Sequence, residues 1–254
     1  MSGYAADHQG ARVRPSPNHG ERRGVAGPDM IVLHYTGMES GQGAEDWLCD
    51  PQSGVSSHYL VHEDGEVVQM VAEAARAWHA GKSFWQGETD INSRSVGIEI
   101  VNPGHVLGYR AFPDAQIDAV IALCRDVAVR HAVAPARVLA HSDVAPGRKI
   151  DPGEKFPWAR LHAAGIGHLV TPAPETDGPV LGPGDHGPLV RQMRRDLANY
   201  GYSIEIADLF DEWTETVVSA FQRHFRPARV DGRADPATVE TLVRLLAALR
   251  ADPA

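Results

Sequence analysis

Met30-Ile31-Val32-Leu33-His34-Tyr35-Thr36-Gly37 is the stretch on which the fold turns. Its apolar run reads as a strand with two alternating faces, ending on a polar side chain at His34. Downstream, His58–His62, Val67–Val71, Val96–Val101 and Val138–His141 read as further strands. Glu63-Asp64-Gly65-Glu66 separates two of them as a hairpin turn. Helical patterns lie between the strands, the clearest from Asp114 to His131. There Ile117, Val120, Ile121, Cys124, Val127 and Ala128 fall on one stripe. Acidic residues open that segment and Arg130-His131 close it, which suits the helix dipole. Interleaved strands and helices predict an α/β domain with a mixed central sheet flanked by helices.

Upstream of Met30, the first 25 or so residues are polar and rich in glycine and proline. Arg14-Pro15-Ser16-Pro17-Asn18 cannot sit inside a helix, so the segment reads as an extended arm of a first domain, 1–169. A Pro-rich stretch around Thr171–Pro179 marks a linker, 170–183. The remainder, 184–254, reads as a small all-α unit of three amphipathic helices. Leu189, Val190, Met193 and Leu197 line the first, and Val217, Val218, Phe221 and Phe225 the second. The third opens on Asp235-Pro236, a capping residue followed by proline.

The chain has 254 residues, a formal charge of −9 and no basic run, which excludes the electrostatic footprint of a nucleic-acid binder. No segment approaches the ~18 apolar residues of a membrane span. Cys124 falls on an apolar stripe and reads as a buried hydrophobe, so a disulfide with Cys49 is not expected. The N-terminus shows no apolar export core, which points to the cytoplasm. A processed chain of the periplasm or cell envelope would look the same.

His34 and His141 each stand at a strand end, and Asp151 follows ten residues after the second. Two imidazoles and a carboxylate can form a hydrolytic Zn2+ site that leaves one position for water. A histidine at a strand end is more often structural than a ligand, so the spacing alone decides nothing. Ser95-Val96-Gly97-Ile98-Glu99-Ile100 adds more: alternation puts Val96, Ile98 and Ile100 on one face and Gly97 and Glu99 on the other. A carboxylate in mid-strand is either held by an arginine or serves as a general acid–base group. Lys149 is either a solvated loop lysine or a cation beside a developing oxyanion.

Six segments in order then resemble the amidase type 2 family, the N-acetylmuramoyl-L-alanine amidases. They are Ile31–Gly37, Val55–Val61, Ala77-Trp78-His79-Ala80-Gly81, Asn92–Ile100, His141–Lys149 and Asp151-Pro152-Gly153 with Phe156-Pro157-Trp158. The resemblance spans about Ser16 to Leu169. It implies a sheet of the kind shared with peptidoglycan-recognition proteins, and zinc held by His34, His141 and Asp151. It also implies Glu99 as catalytic carboxylate, Lys149 as oxyanion stabiliser, and hydrolysis of the amide between N-acetylmuramic acid and L-alanine. The substrate would be peptidoglycan or a muropeptide, in its ordinary or 1,6-anhydro form. His79, Trp78 and Asn92 are expected near the substrate; His58 reads as structural, and Trp85 as a loop residue packed on its own domain. Gly184–Met193, Val218–Arg223 and Val230–Thr238 resemble the three-helix peptidoglycan-binding domain. The rival implied by the same resemblance is a non-catalytic recognition protein, which typically lacks the third ligand; here Asp151 is present. A zinc peptidase would lack the Trp-His-Ala-Gly segment. Oligomeric state is not legible in the chain.

Overall fold

The computed structural model describes residues 4–251, so 1–3 of the predicted arm and 252–254 of the predicted helical unit lie outside it. Eight strands lie in chain order: β1 Arg12–Val13, β2 His19–Glu21, β3 Met30–Tyr35, β4 Tyr59–Val61, β5 Val67–Gln69, β6 Ala75–Ala77, β7 Ser95–Ile100 and β8 Val138–Ala140. Six of them form one sheet in the order β1-β5-β4-β7-β3-β8, while β2 and β6 pair separately. The sheet is mixed: β7, β3 and β8 run parallel, and β4 and β5 form the antiparallel hairpin around Glu63–Glu66. Helices α1 Gly41–Leu48, α2 Ile91–Arg94, α3 Gly104–Leu107, α4 Asp114–His131, α5 His141–Val144 and α6 Trp158–Ala163 surround it. Three more, α7 Pro188–Tyr200, α8 Glu212–Phe225 and α9 Pro236–Ala251, make the C-terminal bundle.

Period-two alternation gives the sheet its two roles. Ile31, Leu33, Val96, Ile98, Ile100, Val138 and Ala140 pack with α4 in one apolar core. The helix turns Leu123 inward where the stripe predicted Ile121, and Ile121 and Ala128 are left half-buried. Val32 and Leu139, on the opposite face, share a core with Leu197, Tyr200 and Phe221 of the bundle.

Three expectations are revised. The N-terminal arm is sewn into the fold rather than merely extended: β1 pairs parallel with β5, and the Arg22 guanidinium donates to the carbonyls of Glu73, Ser93 and Ser95. Arg12-Val13 and His19-Gly20-Glu21 hold a single apolar residue between them, so these strands leave no trace in the hydrophobic pattern. The Pro-rich stretch does not hang free. Ala173 is buried, its N–H donates to Thr241 Oγ1, and Leu181 bridges to Ala234. In the first helix of the bundle, Leu189 is 61% exposed although the stripe predicts it inside, and α7 completes its buried face with Tyr200 instead. Cys49 and Cys124 are both free, Cys124 within the α4 core. Among the described residues no helix is long and apolar enough to cross a membrane.

Candidate active site

The parallel register of β3 against β7 sets His34 directly beside Glu99, and that of β3 against β8 sets Val32 beside Leu139. Side chains two residues apart share a face, so His34, Glu99 and His141 all reach the same side of the sheet. After α5 the chain loops through Pro146 and brings Asp151 back to the two imidazoles. His34 Nδ1 lies 2.8 Å from His141 Nδ1, and Asp151 Oδ2 lies 3.1 and 2.9 Å from these two nitrogens. All three residues are buried.

Three potential ligand atoms facing one another need something between them. The ring Nε2 of His141 donates to the Ala80 carbonyl at 3.2 Å, so its Nδ1 carries a lone pair. Two nitrogens 2.8 Å apart cannot both carry a proton, and an ionised carboxylate supplies none. A cation resolves the crowding, and an N2O donor set of this kind suits zinc. Burial, with the neighbouring His141 next, pushes His34 down to about 4, so its ring is neutral at ordinary pH. Burial alone would raise the Asp151 carboxyl; the His141 and His34 imidazoles override it and hold the group ionised.

Glu99 stands apart from that cluster. Its Oε2 is buried with no hydrogen-bond partner, and among the described residues it forms no ion pair, which removes the salt-bridge explanation of its mid-strand position. Burial pushes its carboxyl well above the ordinary value, Asp151 adds to the rise and Lys149 opposes it. Lys149 is exposed and lines the same groove of about 510 Å³ as Glu99, His141 and Asp151.

Of the three expected substrate contacts, Trp78 and His79 line the groove. Asn92 is brought close but not into it. It is buried, and its side-chain oxygen accepts from the backbone N–H groups of His79 and Ala80. Its work is to hold the Trp78–Ala80 backbone in place. His58 is structural, as expected: its Nδ1 accepts from Gly97 N and its Nε2 meets the Ala75 carbonyl. The sequence reading missed Trp47 and Arg148, which also line the groove. Ser40 caps α1 by accepting from Gly43 N, and that cap was the available signal for a helix presenting a half-exposed Trp47. Arg148 gave no local signal, because its anchors are the carbonyls of Ala80 and Lys82, far back in the chain.

Trp85 corrects a further expectation. It is fully buried, but against the bundle: its ring meets Tyr200 and Tyr202 edge-on at 6.0 and 5.0 Å. A Cβ on Gly201 would lie 2.6 Å from the indole, and φ there is +145°, so the position requires glycine on both counts. Beside this contact, fully buried Asp143 accepts from Ala140 N–H at 2.8 Å and from Tyr202 O–H at 2.7 Å. Its Oδ2 also lies 2.6 Å from His224 Nδ1. The bundle is therefore bonded to the helix that carries His141. A larger hollow of about 700 Å³ on this seam shares no lining residue with the groove.

Fold and site together define a hydrolase built around a place for a metal ion. An N-acetylmuramoyl-L-alanine amidase family model matches residues 24–154, and a putative peptidoglycan binding domain model matches residues 186–242. N-acetylmuramoyl-L-alanine amidase AmiD of Escherichia coli (strain K12) is 38% identical over 82% of this chain and 79% of its own. The solved E. coli AmiD complexed with anhydro-N-acetylmuramic acid-L-Ala-D-gamma-Glu-L-Lys superposes with a TM-score of 0.74 at 32% identity, covering 92% of this chain and 99% of that one. AmpDh3 of Pseudomonas aeruginosa, in complex with anhydromuramic pentapeptide, gives a TM-score of 0.70 at 29% identity, covering 91% and 93%. The chain belongs to the N-acetylmuramoyl-L-alanine amidase family. It is an amide hydrolase of cell-wall material.

Proposed function

We propose that the chain is a zinc-dependent amidase that cleaves the bond between the muramic acid lactyl group and L-alanine in muropeptides, including the 1,6-anhydro form. The observation that carries this reading is Glu99: an unpartnered carboxylate one strand over from His34, facing the groove beside Lys149. The anhydro form is included because AmiD and AmpDh3 are among the relatives solved with anhydromuramyl peptides.

His34, His141 and Asp151 would hold the ion. A bound zinc supplies Lewis acidity toward the amide carbonyl and a water acidic enough to ionise near pH 7. Glu99 accepts the proton of the attacking water on its free oxygen and returns it to the leaving amine nitrogen, without which the C–N bond does not break. Lys149 sets its ammonium against the negative charge that develops on the carbonyl oxygen. Trp47 and Trp78 line the groove, and aromatic rings are surfaces on which a sugar can pack.

The direct test is mass spectrometry of purified muropeptides incubated with zinc-loaded and chelated protein. Release of a free peptide beginning at L-alanine, with zinc only, is the expected result; intact muropeptide in both samples would overturn the proposal. Comparison of anhydro with reducing-end sugars then ranks the two substrates. For Lys149→Met, kcat is expected to drop by about 10²–10³ while KM stays near wild type. A drop in substrate affinity alone would make Lys149 a binding residue.

A further inference from the structure

A chain of polar contacts runs behind the metal cluster. His34 Nε2 lies 3.0 Å from His79 Nδ1, His79 Nε2 lies 3.2 Å from Ser95 Oγ, and Ser95 Oγ donates to the Ile91 carbonyl at 2.6 Å. A serine hydroxyl has one proton to give. Spent on Ile91, it leaves Ser95 only as an acceptor, so His79 must donate from Nε2. A neutral His79 then offers a lone pair at Nδ1, which takes the N–H of His34 Nε2. His34 is left with its lone pair on Nδ1, the atom that faces His141 and Asp151. The direction of every bond follows from the serine.

His79 is also held in place from several sides. A Cβ on Gly97 would lie 2.4 Å from the His79 ring, so the imidazole rests on the bare backbone of β7. The backbone N–H of His79 donates to Asn92, and that of Trp78 donates to Ser56 Oγ. By contrast, His141 is oriented by a main-chain carbonyl, that of Ala80. His34 is the imidazole of the cluster whose second nitrogen meets another imidazole.

We propose that His79 is a positioning residue of the metal site, fixing the tautomer and ring plane of His34 through this relay rather than contacting substrate. The assignment rests on the metalloamidase reading above, but it concerns metal affinity and so can be tested apart from turnover. Partners of this kind are generally worth about 10–100-fold in metal affinity.

The test is zinc affinity by competition with a chromophoric chelator, for wild type, His79→Ala and His79→Asn. Asparagine places its amide oxygen where Nδ1 stood and can still accept from His34. His79→Ala is expected to weaken zinc binding by about 10–100-fold, and His79→Asn to recover most of that loss, with KM unchanged at saturating zinc. Unchanged zinc affinity with a raised KM would make His79 a substrate contact, and equal losses in both variants would reduce it to packing. Should His79→Ala fail to fold, nitrogen NMR of the metal-free wild type decides: the relay requires His34 protonated on Nε2, and protonation on Nδ1 overturns it. A wild type that binds zinc but cleaves no muropeptide would sink the amidase reading and leave these affinities standing.

Discussion

Glu99→Gln is expected to lower kcat by about 10²–10⁴ while zinc content stays at the wild-type level. Glutamine keeps the shape of the side chain but cannot take a proton from water. Glu99 lies outside the His34, His141 and Asp151 cluster, so the ion has no reason to leave. Full turnover with zinc in place would move the proton-accepting role to another group. The same substitution has a second expected signature in the metal-free protein. Burial raises the Glu99 carboxyl well above its ordinary 4.5. Between those two values the native state holds a proton that the unfolded chain has released, so stability is highest below the ordinary value and falls as pH rises through the window. Above the ordinary value the wild-type apoprotein bears the cost of either holding that proton or burying the charge, and glutamine bears neither. Its melting temperature in chelator should be lower than that of Glu99→Gln, and the gap should close in acid. A gap that does not change with pH would mean that Glu99 is well solvated.

Trp85→Ala is expected to cost about 3–5 kcal/mol, the usual range for emptying a tryptophan site in a core. The site cannot collapse easily, because the indole sits against Gly201, Tyr200 and Tyr202 on the far side of the seam. Losses of this size are a large part of a typical ~5–15 kcal/mol total. Trp213, 42% exposed, provides the control, and Trp213→Ala should fall within about 1 kcal/mol of wild type by chemical denaturation. If Trp85→Ala proved as mild as that control, the two parts of the chain would have to be stable independently.

How much of this was legible depends on distance along the chain. The two faces of Ser95–Ile100 could be read directly, since alternation is local, and the structure places Val96, Ile98 and Ile100 in the α4 core with Glu99 opposite. The neighbourhood of His34 and Glu99 could not be read from periodicity. It depends on strand register, and only the family resemblance joined these residues beforehand. Trp85 was misread because its partners lie more than a hundred residues downstream and leave no mark on its own segment. Asn92 was placed with the right neighbours but in the wrong role, since its burial and its two backbone donors are tertiary facts. Arg148 and β1 were invisible for the same reason.

The bonded seam at Asp143 and Trp85 also fixes how the two parts of the chain stand to one another. A catalytic unit on a slack tether sweeps a volume set by the tether, and the anchor merely raises the local concentration of cleavable bonds. Here Tyr202 and His224 are fastened to the helix that begins at His141. Whatever the bundle grips is held at one bearing and one distance from the metal cluster. The groove and the bundle therefore move as one piece, without the slack that a tether would give.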